Sequence, residues 1–186
     1  MILATRNAHK VREFERLLPG LAFDPLPDGL QSPEETGDTY AENALIKARA
    51  AAQATGLPAF ADDSGIEAEA LDWQPGVRTA RFAGEHASDG ENLAKLHREA
   101  PAGSRARYVC VIAHVTPEGD ERLFEGRCEG TLAAEPHGAG GFGYDPIFVA
   151  DETPGRTMAE LADDEKDAIS HRGHAARGLL EWLGTR

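Results

Sequence analysis

Residues 107–115, RYVCVIAHV, are apolar at odd and even positions alike. A strand of that kind is stable only when both of its faces are covered, so the segment predicts a central strand with a layer on each side. Its surroundings supply those layers. MILAT at residues 1–5 reads as a short strand and NAHKVREFERLL at 7–18 as a helix, with Val11, Phe14, Leu17 and Leu18 on one face. LAFDPL is a possible second strand. TYAE and SDGE are capping boxes that open further helices, the first running to about Thr55. AFADD and IEAEAL are predicted as two strands on either side of a Ser64–Gly65 turn, and ERLFEGRCEGTLA as a partner of the central strand. A last helix from about His171 places Ala176, Leu179, Leu180 and Leu183 on one face. The pattern predicts α/β architecture, with a mixed central sheet flanked by helices in a single domain over residues 1–186.

The formal net charge of −13 argues against a broad basic surface for a nucleic acid polymer. A small anionic ligand would need local cations or a metal. Cys110 and Cys128 have no metal-type spacing and read as reduced core thiols. No signal peptide and no apolar run of membrane-spanning length is evident, so a cytoplasmic location with no membrane partner is expected.

Four constellations could carry chemistry. TRNAHK, residues 5–10, runs from a strand into a helix whose N-terminus could hold a phosphate, with Asn7 as N-cap and Lys10 in the first turn. Taken alone, those six residues favour a capped helix with a solvated lysine. SPEETGD and ADDSG together offer Glu34, Glu35, Asp38, Asp62 and Asp63, the oxygen ligands a hard divalent cation takes. In an extended chain Asp62 and Asp63 point to opposite faces, so only one of them would hold a given metal directly. The rival readings are a solvated loop and a turn-forming aspartate. GGFGYD at 140–145 pairs glycines that permit close approach with Phe142, which could stack on a planar ring, and Asp145, which could accept from a sugar or base; a tight turn with core aromatics is the alternative. EKDAISHRG at 165–173 brings Lys166, His171 and Arg172 into an acidic chain, or is a solvated helix face.

The ordered set ATRNAHKVREF, EETGDTYAENALIKARAAA, ADDSGIEAEAL, PGVRTARFAG, GFGYDPIF and DEKDAISHRG spans nearly the whole chain and resembles the non-canonical purine nucleoside triphosphate pyrophosphatases, also called inosine triphosphate pyrophosphatases. The resemblance implies an elongated, two-lobed, ITPase-like fold with its active site in a cleft, usually a homodimer. It also implies Mg²⁺-dependent hydrolysis of ITP, dITP and XTP to the monophosphate and pyrophosphate. Carried over by motif, it assigns Thr5, Arg6, Asn7, Ala8, His9 and Lys10 to the phosphates, Asp63 to general base and metal, Glu34 to metal, and Ser64 to substrate. Phe142, Gly143, Tyr144, Asp145, Lys166, His171 and Arg172 would complete the nucleotide site. The family's first motif most often has glycine where this chain has Arg6.

The mechanism implied is attack of water on the α-phosphorus, with Asp63 taking the proton and Lys10 stabilising phosphate charge. Arg172 and nearby backbone N–H groups, all donors, would donate to the 6-oxo group of hypoxanthine or xanthine and reject adenine. The rival functions are a pyrophosphatase for modified pyrimidines, a phosphomonoesterase with an aspartate nucleophile, and a nucleotide sensor without catalysis.

Overall fold

The computed structural model describes residues 1–184. Seven strands form one mixed sheet: β1 (Ile2–Leu3), β2 (Asp24–Pro25), β3 (Ala59–Ala68), β4 (Gln74–Pro75), β5 (Arg105–Val115), β6 (Glu121–Leu132) and β7 (Phe148–Ala150). The order is β2-β1-β3-β5-β6-β7, with β4 added to β3. β1 pairs in parallel with β2 and β3, whereas β4 on β3 and β7 on β6 are antiparallel. The helices are α1 (Ala8–Leu17), α2 (Tyr40–Thr55), α3 (Asp89–Glu99), α4 (Asp163–Ile169) and α5 (His171–Gly184). Among the described residues no helix is long and apolar enough to cross a membrane.

The chain divides into two compact units. Unit 1 comprises Met1–Asp63, Cys110–Gly126 and the chain from Arg172; unit 2 comprises Ser64–Val109 and Arg127–His171. Unit 1 has two apolar layers, and strand alternation sorts residues between them. Ile2, Ala4, Ala59, Ala61, Ala113 and Val115 meet Ala44, Ala48, Ala51 and Ala52 of α2. Leu3, Phe60, Cys110 and Ile112 meet Phe14 and Leu18, together with Ala175, Ala176 and Leu179 of α5. Phe60 takes Phe14 and Phe23 edge-on at 5.5 and 5.4 Å between centroids, a preferred aromatic geometry. Unit 2 packs Ile66, Leu96, Tyr108, Cys128, Ile147, Phe148 and Met158 into one core.

Local signals set the helix starts. Thr39 and Glu42 close a reciprocal capping box on α2, and Ser88 and Glu91 do the same on α3. Gly56, with φ +66°, ends α2 in the left-handed conformation that glycine tolerates. β2 shrinks to two residues at the sheet edge, where Pro25 removes no needed ladder donor.

One expectation fails. Ser64 and Gly65 do not turn; β3 is a single ten-residue strand through them. The strand is held in the sheet beside β5, by β1 at Ala59 and Phe60 and by β4 at Glu67 and Ala68, so sheet pairing along its length outweighs the local turn preference of Ser-Gly. Both cysteines are free and buried.

Candidate functional site

Unit 1 holds the two adjacent aspartates at the end of its stretch of β3. By the alternation above, Asp62 shares the Phe60 face and Asp63 the Ala61 face. Their surroundings differ accordingly. Asp62 is 1% exposed, and its Oδ2 accepts from Arg172 Nε at 3.2 Å and Nη2 at 3.0 Å, with Lys10 Nζ also 3.0 Å away. Arg172 Nη1 donates to buried Glu13. Burial works to raise the Asp62 carboxyl, but Lys10, Arg172 and Lys47 together hold it well below the usual carboxylate range. Asp62 Oδ1 is buried without a hydrogen-bond partner among the described residues.

Asp63 is 7% exposed and faces α2, where Asn43 Nδ2 donates to Oδ2 at 3.2 Å and Lys47 Nζ lies 3.7 Å from Oδ1. Lys47 also donates to Glu35 Oε1 at 2.5 Å. Burial raises the Asp63 carboxyl above its ordinary value despite the opposing charges of Lys47 and Lys10. Neighbouring carboxylates in one strand are thus shifted in opposite directions, an arrangement that separates a fixed anion from a proton acceptor.

The loop before α2 is fastened beside Asp63. Gly37 N–H donates to Asn43 Oδ1 at 2.8 Å, and a Cβ on Gly37 would stand 2.6 Å from the Glu42 Cβ, so only glycine permits this approach. Glu35 takes Lys47, whereas Glu34, the expected second metal carboxylate, is exposed on the loop. Among the described residues no group of three or more His, Cys, Asp or Glu side chains is arranged as a metal site.

The start of α1 is built as expected. Thr5 Oγ1 accepts from Asn7 N–H at 3.2 Å, and Asn7 Oδ1 accepts from the N–H groups of His9 and Lys10 at 2.8 and 3.3 Å. Lys10 is directed to Asp62 rather than solvated. Ala8 and His9 are exposed in the first turn. Arg6 points to carbonyls of the 26–30 segment.

Unit 2 holds a second buried carboxylate, Asp145, 3% exposed. Its Oδ1 accepts from Tyr108 Oη at 3.1 Å; its Oδ2 accepts from Lys166 Nζ at 2.7 Å and Phe142 N–H at 2.8 Å. Gly141, at φ +65°, would put a Cβ 2.0 Å from Oδ2, so glycine is required for the loop to close over the carboxylate. Lys166 Nζ lies 5.2 Å from the Phe142 ring centroid, and the Tyr108 and His171 rings stack at 4.6 Å with 9° between planes. Tyr108 is raised well above an ordinary phenol by burial first and by the Asp145 charge second. Gly143 N–H donates to Asp89 at 3.2 Å, and buried Tyr144 donates to Thr79 O at 2.8 Å. Ser64 is half-buried.

Several side chains sit differently from the sequence expectation. Lys166, His171 and Arg172 are buried at 5, 6 and 2% exposure, so the segment is not a solvated helix face. Arg172 donates to Asp62 and Glu13, where the expectation had it donating to a purine. Asp145, expected to accept from a sugar or base, accepts from three protein donors. Lys47 was missed altogether. Its signal is a lysine inside the buried alanine stripe Ala44, Ala48, Ala51 of α2, which calls for a buried anion opposite.

A mixed sheet carrying two adjacent buried aspartates beside buried cations defines the class: an α/β protein with a charged cluster in its core. Residues 1–182 match the model of the Ham1 family, and the chain belongs to that family. A dITP/XTP pyrophosphatase of Symbiobacterium thermophilum is 53% identical over 189 residues, covering 98% of this chain and 94% of the relative. The structure of a HAM1 protein from Coxiella burnetii superposes with a TM-score of 0.88 at 43% identity, covering 100% of this chain and 98% of that one. A nucleoside-triphosphatase described as a dITP/XTP pyrophosphatase from Mycobacterium abscessus gives 0.73 at 45% identity over 98% of each chain.

Proposed function

We propose that the chain is a hydrolase that cleaves non-canonical purine nucleoside triphosphates, dITP, XTP and ITP, to the monophosphate and pyrophosphate. The names of its curated relatives support the substrate class. The observation that carries the chemistry is the pair of buried carboxylates on opposite faces of β3, Asp62 bound by Arg172 and Lys10 and Asp63 met by Asn43 and Lys47.

Asp63 takes the proton of the attacking water, since a carboxylate with raised proton affinity is the better base near neutrality. Lys47 holds Asp63 ionised against its burial, and Asn43 fixes its Oδ2. Lys10 presents its ammonium to the phosphate chain, and Asp62, locked by Arg172, orients Lys10. Carboxylate oxygens suit a hard cation, and Asp63, met among the described residues only by the Asn43 amide on Oδ2 and by Lys47 at 3.7 Å from Oδ1, has lone pairs left to offer one. Asp63 and Glu34 are the residues that would hold Mg²⁺, which when bound supplies neutralisation of the triphosphate and of the departing pyrophosphate. In unit 2 the Phe142 ring, backed by Lys166, offers a face for a purine. The Lys166 ammonium and the backbone N–H at His171 would donate to a 6-oxo group and disfavour a 6-amino group. A cytoplasmic homodimer with no nucleic acid polymer or membrane partner belongs to the same reading, and gel filtration with light scattering checks the dimer.

The test is a panel of dITP, XTP, ITP, ATP and GTP with Mg²⁺, with the phosphate product identified. Pyrophosphate from the first three, and little from ATP and GTP, is the expected result. Orthophosphate as the primary product, or turnover that favours ATP, would overturn the reading.

A further inference from the structure

Arg6 stands between Thr5 and the helix cap Asn7, where a phosphate contact was expected, yet its guanidinium turns back onto the chain. Nη1 donates to Leu26 O at 2.9 Å, and Nη2 to Pro27 O at 2.5 Å and Leu30 O at 3.0 Å. Asp28 Oδ1 is 3.6 Å from Nη1. The segment it grips is itself a turn, with Leu30 N–H on Pro27 O at 3.3 Å and Gly29 at φ +89°. Leu26 is 6% exposed in the layer under α2, with Leu30 packed against that layer. Three carbonyls converging on one side chain need several donors in a rigid plane, which guanidinium has and ammonium lacks.

We propose that Arg6 is a positioning residue for the carboxylate loop and not a phosphate ligand. It fixes the near end of residues 26–37 to the junction that leads into α1. The far end is fixed by Lys47 on Glu35 and by Gly37 on Asn43. Glu34 lies between the two ties, so it is presented by a loop pinned at both ends. Loop ordering that would otherwise fall on cation binding is then already paid in the folded chain. The inference rests on the proposed role of Glu34 in holding a divalent cation.

The test compares Arg6→Ala and Arg6→Lys with the wild type. In metal-free protein without nucleotide, hydrogen–deuterium exchange of amides in residues 26–36 rises about tenfold in Arg6→Ala, equivalent to roughly 1.4 kcal/mol of lost local protection, while α1 and β3 stay unchanged. At saturating nucleotide, the Mg²⁺ concentration for half-maximal rate rises several-fold, kcat at saturating Mg²⁺ returns to the wild-type value, and Arg6→Lys lies between. Unchanged loop exchange or an unchanged Mg²⁺ requirement overturns the proposal. So does a rise in nucleotide KM at saturating Mg²⁺ with a weaker salt dependence than the wild type, the mark of a lost phosphate contact. If the wild type itself turns over no nucleotide, the proposed function falls, and the exchange arm alone still decides the clamp.

Discussion

Unit 1 and unit 2 each bury acidic side chains in a protein of net charge −13, and they treat them in opposite ways. Asp145 in unit 2 has donors on both oxygens: a phenol, an ammonium and a backbone N–H. Unit 1 gives its cations unequally. Asp62 receives Arg172 and Lys10, whereas Asp63 has an amide and a lysine at 3.7 Å shared with Glu35. Asp145, with both oxygens satisfied, organises a loop; Asp62 is held as an anion by its cations, and Asp63, less well supplied, keeps its proton affinity. Under the proposed function, the contrast gives a structural task to Asp145 and Asp62 and a chemical one to Asp63.

Replacing each carboxylate or its partner tests that division, and the largest effect belongs to the base. Asp63→Asn lowers turnover by about 10²–10⁴-fold, the usual worth of a general base, with circular dichroism and Tm close to wild type. An active Asp63→Asn would erase the distinction. Arg172→Met leaves Asp62 and Glu13 buried without their guanidinium and costs about 3–5 kcal/mol, read by urea unfolding at neutral pH. A change within 1 kcal/mol would show that Lys10 alone suffices for Asp62.

The titrations run in opposite senses. The depressed Asp62 carboxyl stabilises the fold above its unfolded value of about 3.9, and that stability is lost as pH falls below it. Asp63, raised, favours the fold when protonated, so its contribution declines as pH rises from its unfolded value through its folded one. In activity, the acid limb of kcat/KM lies above the ordinary carboxylate value, and Lys47→Gln moves it further up because a charge opposing protonation is gone. A downward move would mean that a different group carries the limb. The smallest effect is in unit 2. Tyr108→Phe removes the phenol that donates to Asp145 Oδ1 and costs about 1–3 kcal/mol of stability. It should raise nucleotide KM more than it lowers kcat, and an equal fall in kcat would place Asp145 in the chemistry.

Much of this was legible in the chain because its causes are local. Asn7, Thr39 and Ser88 cap helices through partners two or three residues away. The pleat likewise forecast that Asp62 and Asp63 would be unequal, since alternation needs only that the strand be extended. Their cations were another matter. Arg172 reaches Asp62 across 110 residues and Glu13 across 159, and no spacing rule spans such distances. The continuity of β3 through Ser64 and Gly65 has the same kind of cause: the sheet neighbours, distant in sequence, and not the dipeptide decide its backbone. Glu35 rather than Glu34 meets Lys47 because the loop is tied at Gly37, a constraint visible only once Asn43 is folded beside it.

Helix α2 also acts as a ruler. Asn43 and Lys47, both directed at Asp63, stand four residues apart, a little over one helical turn. Inserting or deleting one residue between them would swing one of the pair by about 100° around the axis, out of reach of the aspartate. Length variation that surface helices tolerate is therefore forbidden in this turn. A library of single-residue insertions along α2 should show a sharp hole in activity between positions 43 and 47, with tolerance returning toward Gly56, where the helix ends in solvent-exposed chain.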